Sequence, residues 1–210
     1  MIKKNGKILL ITSLIILLPI LAGVILWNQL PERIPTHWNV AGQIDGWSSK
    51  PFAVFGLPLM MLAFQWICVL ATSADPKQEH HPSKVLHLVF WMIPVLSVVL
   101  SALTYTAAFG KDVQIELIMP VLIGLLLAIV GNYLPKCKQN YTIGIKIPWT
   151  LNSEENWNRT HRFAGRLWVV CGLVIMLTGF LGTFWIFFGV ALLMVLAPFI
   201  YSYLLHRKGI

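Results

Sequence analysis

Two polar stretches hold most of the residues that could do chemistry. The first, Asn28 to Pro51, carries Glu32, His37 and Asp45 beside Trp38 and Trp47. An imidazole with two carboxylates could hold a cation, and the aromatic rings with these charges could grip a peptide. As hydrolytic machinery the set is weak, because no nucleophile has a base beside it. The second stretch, Gly131 to Arg166, carries Asn132, Gly144, Pro148, Trp149, Thr150, Trp157, His161 and Arg162. His161 among Arg159, Arg162 and Arg166 could bind a phosphate group, although a lone histidine on a basic helix is more often a surface residue.

Two further groups are weaker candidates. Glu79, His80, His81 and His87 resemble a metal cluster, but adjacent histidines point apart on a helix and no cysteine is near. A solvated loop suits them better. Cys68, Cys137 and Cys171 form no CxxC and no disulfide framework. Lysines on both sides of Cys137 could lower its pKa, though an incidental thiol is the simpler reading. No catalytic residue, metal or cofactor is expected.

The elements that position these stretches are hydrophobic. The chain is 57% hydrophobic and 11% charged, with a mean hydropathy of +0.74. Its apolar runs of about 20 residues match a bilayer core of about 30 Å, which excludes a soluble domain. Spans are expected at Ile8–Trp27, Phe52–Thr72, Val85–Phe109 and Gln114–Leu134. Leu167–Leu205 is too long for one span and divides at Gly179 and Gly182 into a fifth and a sixth. The basic start resembles a signal peptide, but its core is too long and no small-residue cleavage site follows.

Prolines 19, 58, 94, 120 and 198 fall inside spans, where neighbouring groups can satisfy the freed carbonyls. Buried polarity is limited to groups such as Gln65, Ser97, Ser101, Thr104 and Thr178, and most of these read as hydrogen-bond glue between helices. No charged residue falls near a midplane, which counts against a pump. No internal repeat suggests a two-halved transporter.

Loop 28–51 reads as compact and turn-rich, with Gly42 and Asp45-Gly46 as turns. Trp27, Trp38 and Trp47 suit the membrane interface. In the second stretch, Tyr141 to Leu151 alternates as an extended segment until Pro148 interrupts it. Asn152 with Glu155 then reads as an N-cap and capping box. Trp157, Ala164 and Trp168 share one helical face, and the three arginines share another. An amphipathic basic helix of this kind anchors at an anionic surface or presents itself to a partner.

The net charge of +8 is better explained by the positive-inside bias than by nucleic acid, and no direct nucleic-acid contact is expected. Six spans place thirteen of the sixteen lysines and arginines on one side, leaving Arg33, Lys50 and Lys111 on the other. The expected fold is therefore all-α: a polytopic membrane protein with six transmembrane helices, N-in and C-in. A cytoplasmic interfacial segment lies between helices four and five.

The second stretch resembles the signature of the SdpI family of bacterial immunity proteins. The matching residues are Gly131-Asn132, Ile143-Gly144-Ile145-Lys146, Pro148-Trp149-Thr150-Leu151, Glu154, Trp157 and His161-Arg162. Ile34-Pro35-Thr36-His37-Trp38, with Gly42, Asp45 and Lys50, looks like the extracytoplasmic module often joined to it. Domains are expected at 1–72 (a first hairpin with outer loop 28–51), 73–130 (helices three and four) and 131–210 (the signature with helices five and six).

The resemblance implies a non-enzymatic, multi-pass protein of the bacterial cell membrane. Its implied partners are the lipid bilayer, a secreted peptide toxin and a cytosolic transcriptional repressor held at the membrane. Asn132, Gly144, Pro148, Trp149, Thr150, Trp157, His161 and Arg162 would then form the cytoplasmic partner or switch site. His37, Trp38, Asp45 and Trp47 would contact the outside ligand. The alternative is a membrane enzyme, or a lipid- or metabolite-handling protein, that binds a phosphorylated headgroup between Asn132 and Arg162.

Overall fold

A computed structural model describes residues 1–210 except Gln78, His80, His81 and Thr183. His80 and His81 of the weak metal-like group therefore lie outside the described residues. The chain forms two compact units, residues 1–73 with 87–115 and residues 74–86 with 116–210. Among the described residues six helices are long and apolar enough to cross a membrane, and the one sheet has two strands.

The first unit contains α1 (Gly6–Ile25), strands β1 (Arg33–Trp38) and β2 (Ile44–Ser49), and α2 (Leu57–Ser73). It also holds α3 (Ser83–Ala108) from His87 onward. In lipid no hydrophobic force draws helices together, so packing and hydrogen bonds must do so. Gln65 Nε2 donates to Thr12 Oγ1 at 2.8 Å, both groups buried. The Ser97 and Tyr105 hydroxyls donate to the carbonyls of Ile16 and Pro19 at 3.0 Å each. One of these carbonyls belongs to Pro19, the proline inside α1, and the other lies three residues before it. Thr104 and Thr178 instead bond carbonyls of their own helices, Leu100 and Ile175, so they do not join helices as expected.

Loop 28–51 is an antiparallel hairpin rather than an irregular loop. Its turn falls at Gly42 (φ +74°), and Asn39 Oδ1 accepts the N–H groups of Ala41 and Gln43. Asp45-Gly46 is not a turn. It lies within β2, and Gly46 passes beneath His37, where an added Cβ would stand 2.8 Å from the His37 Cβ. One π-helical turn, Phe52–Gly56, leads into α2. Leu30 and Ile34 pack on Ala53, Val54 and Tyr105, which seats the hairpin on the helix ends.

The second unit contains α4 (Ile115–Tyr133) from Glu116 onward, α5 (Pro148–Asn152), α6 (Glu154–Leu181) and α7 (Phe184–Arg207). Glycines bring α4 and α6 together. A Cβ on Gly172 would meet the Gly124 carbonyl at 2.5 Å, and one on Gly165 would meet the Gly131 carbonyl at 2.7 Å. Gly179 likewise rests on the Leu117 carbonyl, so it is a packing residue within α6 and not a chain reversal. Gly182 (φ +62°) ends the helix. Trp168, between Gly165 and Gly172 on α6, reaches α7: its Nε1–H donates to the Met194 carbonyl at 3.0 Å.

Two expectations for the central segment are corrected. Residues 141–147 pair with no strand, and Pro148 begins α5 instead of merely interrupting an extended run. The α6 N-cap is Ser153, not Asn152: Ser153 Oγ accepts the Asn156 N–H at 3.1 Å, while Asn152 ends α5. Two short polar residues in succession allowed either position, and the intervening turn of helix selected the second.

Candidate functional site

In the second unit, residues 137–153 form a cap over the first turns of α6, and His161 is its keystone. Its ring stacks on Trp157 at 4.0 Å between centroids and 20° between planes. Nδ1 lies 2.8 Å from the Trp157 carbonyl, and Nε2 lies 3.0 Å from the Ile145 N–H. A carbonyl can only accept and an N–H can only donate. Nδ1 therefore carries the proton, Nε2 is bare, and the imidazole is neutral with both nitrogens engaged.

Gly144 makes that contact possible. Its φ of +122° is a conformation side chains rarely adopt, and an added Cβ would stand 2.5 Å from His161 Nε2. Trp157 Nε1–H donates to the Cys137 carbonyl at 2.8 Å, fixing the start of the same segment. Thr150 fixes its far end. The Thr150 hydroxyl accepts the Ile147 N–H at 3.1 Å and reaches the Ile145 carbonyl as donor at 2.8 Å.

Three residues that sequence reasoning passed over complete the cap. Asn140 Oδ1 accepts the N–H groups of Thr142 and Ile143, which closes the turn before Gly144. Gln139 Nε2 donates to the carbonyls of Thr150 and Leu151. Asp75, only 3% exposed, accepts the Tyr141 N–H and the Thr142 hydroxyl at 3.0 and 2.7 Å. Asp75 follows the second span by two residues, so this buried carboxylate ties a distant loop to the signature segment. In the sequence it looks like any loop aspartate. The Asn140-Tyr141-Thr142 order was the readable sign of an Asx-type turn.

The proposed switch residues do not all meet. Gly144, Thr150, Trp157 and His161 are in one interlocked cluster. Trp149 lies beside α7, stacked with His206 at 5.8 Å and packed edgewise on Phe199, and its buried Nε1 has no hydrogen-bond partner. Pro148, Asn132 and Arg162 are exposed. Asn156, a further residue not anticipated, accepts the Ser202 hydroxyl at 2.5 Å and so joins α6 to α7.

His161 is therefore not the surface residue its setting suggested, and neither ring nitrogen is free to bind a phosphate. The cationic face is separate: Arg159, Arg162 and Arg166 are exposed, and Arg159 pairs with Glu155 at 2.6 Å. The lysines beside Cys137 do not lower its pKa either. Burial pushes the thiol up to about 11, so it is protonated and unreactive near neutrality.

In the hairpin of the first unit, His37 Nδ1 meets Asp45 Oδ1 at 2.5 Å across β1 and β2, with both side chains well exposed. Trp47 is exposed and Trp38 half-buried. Glu32 is not part of that pair. It holds the Lys50 ammonium at 2.9 Å, and the same ammonium donates to the Trp27 carbonyl and lies over the Trp27 ring. Lys50 thus locks the base of the hairpin, a role its place in a polar loop did not reveal.

Six apolar helices, a short hairpin after the first and a polar cap after the fourth define a multi-pass helical membrane protein. The chain belongs to the SdpI/YfhL protein family. That family's model matches residues 136–202, which include α5, α6 and most of α7. Residues 14–62, with the hairpin, match a domain of unknown function, DUF1648. The immunity protein SdpI of Bacillus subtilis (strain 168) is 32% identical over 178 residues, 85% of this chain and 82% of that protein. No solved structure matches the chain. The protein is a multi-pass protein of the bacterial membrane.

Proposed function

We propose that this protein confers immunity to a secreted peptide toxin and acts as a receptor rather than as an enzyme. The observation that carries the reading is the 32% identity to an immunity protein across 85% of the chain, a length that takes in both the hairpin and the cap. The side chains of the cap engage its own backbone, leaving Tyr141, Lys146 and Pro148 exposed as a surface for a partner. His37, Trp38, Asp45 and Trp47 form the outer contact surface for the toxin. A cytosolic repressor docks on the cap when toxin is present.

Such a receptor needs two states whose balance the toxin shifts. The phosphorylated-headgroup enzyme has less support, since the histidine it would use is committed to Trp157 and Ile145. The test is expression in a Bacillus strain lacking its own immunity gene and exposed to the killing peptide. Survival should be restored by the wild type and reduced by His37→Ala with Trp47→Ala at equal membrane abundance. Cells that die at the same toxin dose with or without the protein would refute the reading.

A further inference from the structure

We propose that Arg162 and Arg166 form a binding site for the phosphate of an anionic phospholipid on the outward face of α6. The two guanidinium groups lie one helical turn apart, and both residues are exposed. Residues four apart on a helix are about 5–6 Å apart at Cβ, a spacing at which two planar forks can bracket one phosphate. Arg159, on the same face, is engaged by Glu155. Among the described residues, neither Arg162 nor Arg166 forms an ion pair.

The arginines border a shallow concavity of about 340 Å³ that also includes Arg159, Phe163 and Tyr201. The Phe163 and Tyr201 rings stack at 4.6 Å, giving it an apolar wall.

The ligand is a lipid and not a free anion because of what continues the stripe. Stepping along α6 from Arg162 and Arg166 by fours and threes reaches Val170, Leu173 and Leu177. These are exposed by 59, 52 and 57% on a helix apolar enough to cross a membrane. Arg166 is the last charged residue before the apolar run to Leu181. It lies about 18 Å along the axis from Glu154, at 1.5 Å per residue. A phospholipid lying along this face would thus set its acyl chain on Val170, Leu173 and Leu177 and its phosphate between the arginines. The opposite face is already taken, with Thr160, His161, Ala164 and Gly165 buried, so the arginine stripe has no packing role within the chain. The site needs only the membrane placement of α6 and is independent of the immunity reading.

The test is native mass spectrometry of the full-length protein released from detergent, with phosphatidylglycerol and phosphatidylcholine of matched acyl chains. The wild type should retain phosphatidylglycerol about tenfold more tightly, because the choline ammonium of phosphatidylcholine offsets its phosphate charge and is repelled by the arginines. Arg162→Gln with Arg166→Gln should abolish that preference while leaving the melting temperature in phosphatidylcholine unchanged. Arg162→Lys with Arg166→Lys should recover only part of it, because an ammonium lacks the fork. Equal retention of both lipids by the wild type, or full recovery by the lysine pair, overturns the proposal. So does displacement of phosphatidylglycerol by an equal concentration of inorganic phosphate, which would leave the acyl chain no part in binding.

Discussion

His161 ties the cap to α6, because Nε2 accepts the Ile145 N–H while Nδ1 stays bonded to the Trp157 carbonyl of its own helix. Replacing it by alanine leaves the Ile145 N–H and the Trp157 stack without a partner. An unsatisfied buried donor costs about 1–3 kcal/mol, so His161→Ala should lower the thermal midpoint and open residues 141–147 to proteolysis. Gly144→Ala should act on the same contact from the other side. A Cβ in a left-handed conformation and 2.5 Å from Nε2 destabilises by more than about 1 kcal/mol. Wild-type proteolytic resistance in both variants would refute the cap geometry.

Cys137 gives a pH-dependent prediction. Burial holds its folded pKa at about 11, above that of a thiol in the unfolded chain, so the unfolded chain loses this proton first. The contribution is complete below pH 9 and is lost as pH rises toward 11. The fall in thermal midpoint across that range should be shallower in Cys137→Ala than in the wild type. Near neutral pH, native protein should resist alkylation at Cys137.

At the scale of elements, the α4–α6 contact depends on backbone approaching backbone. Gly165, Gly172 and Gly179 recur every seven residues and face Gly131, Gly124 and Leu117. This heptad spacing was visible in the sequence, but its purpose was not, because glycine there also suggests a chain break. Gly172→Val would drive the helices apart, and overpacking of this kind costs about 1–3 kcal/mol. The expected result is a lower melting temperature in detergent, while Gly6→Val, with nothing within 4 Å of its added Cβ, should be neutral. The caps follow the same logic on a smaller scale. Ser153→Ala should destabilise α6 by about 1 kcal/mol, and Asn152→Ala should have a lesser effect.

For the whole molecule, the hairpin follows the first apolar helix and the cap follows the fourth, and we propose that the two face opposite sides of the membrane. We propose, from the positive-inside bias of the basic residues, that the cap faces the cytoplasm. In a variant lacking Cys68, Cys137 and Cys171, a cysteine at Val40 should react with an impermeant maleimide in intact cells. One at Lys146 should react only after permeabilisation. Labelling of both in intact cells would remove the link between an outside ligand and an inside response.

The six spans and the family signature were legible because each is written locally. Bilayer thickness sets the length of an apolar run, and Pro148-Trp149-Thr150-Leu151 with its downstream Trp157 and His161 is a contiguous pattern. Patterning along the chain could not show which polar residues turn inward. Asp75 and Lys50 look like solvated loop charges, yet both are buried because backbone groups far away in sequence converge on them. His161 reads as one more polar residue on a basic helix until Gly144 is folded onto it. A hydrogen-bonding partner brought from 16 residues away (Ile145 to His161), 23 (Trp27 to Lys50) or 67 (Thr142 to Asp75) has no local sequence signal, so the cap and the hairpin lock were decided only by tertiary structure.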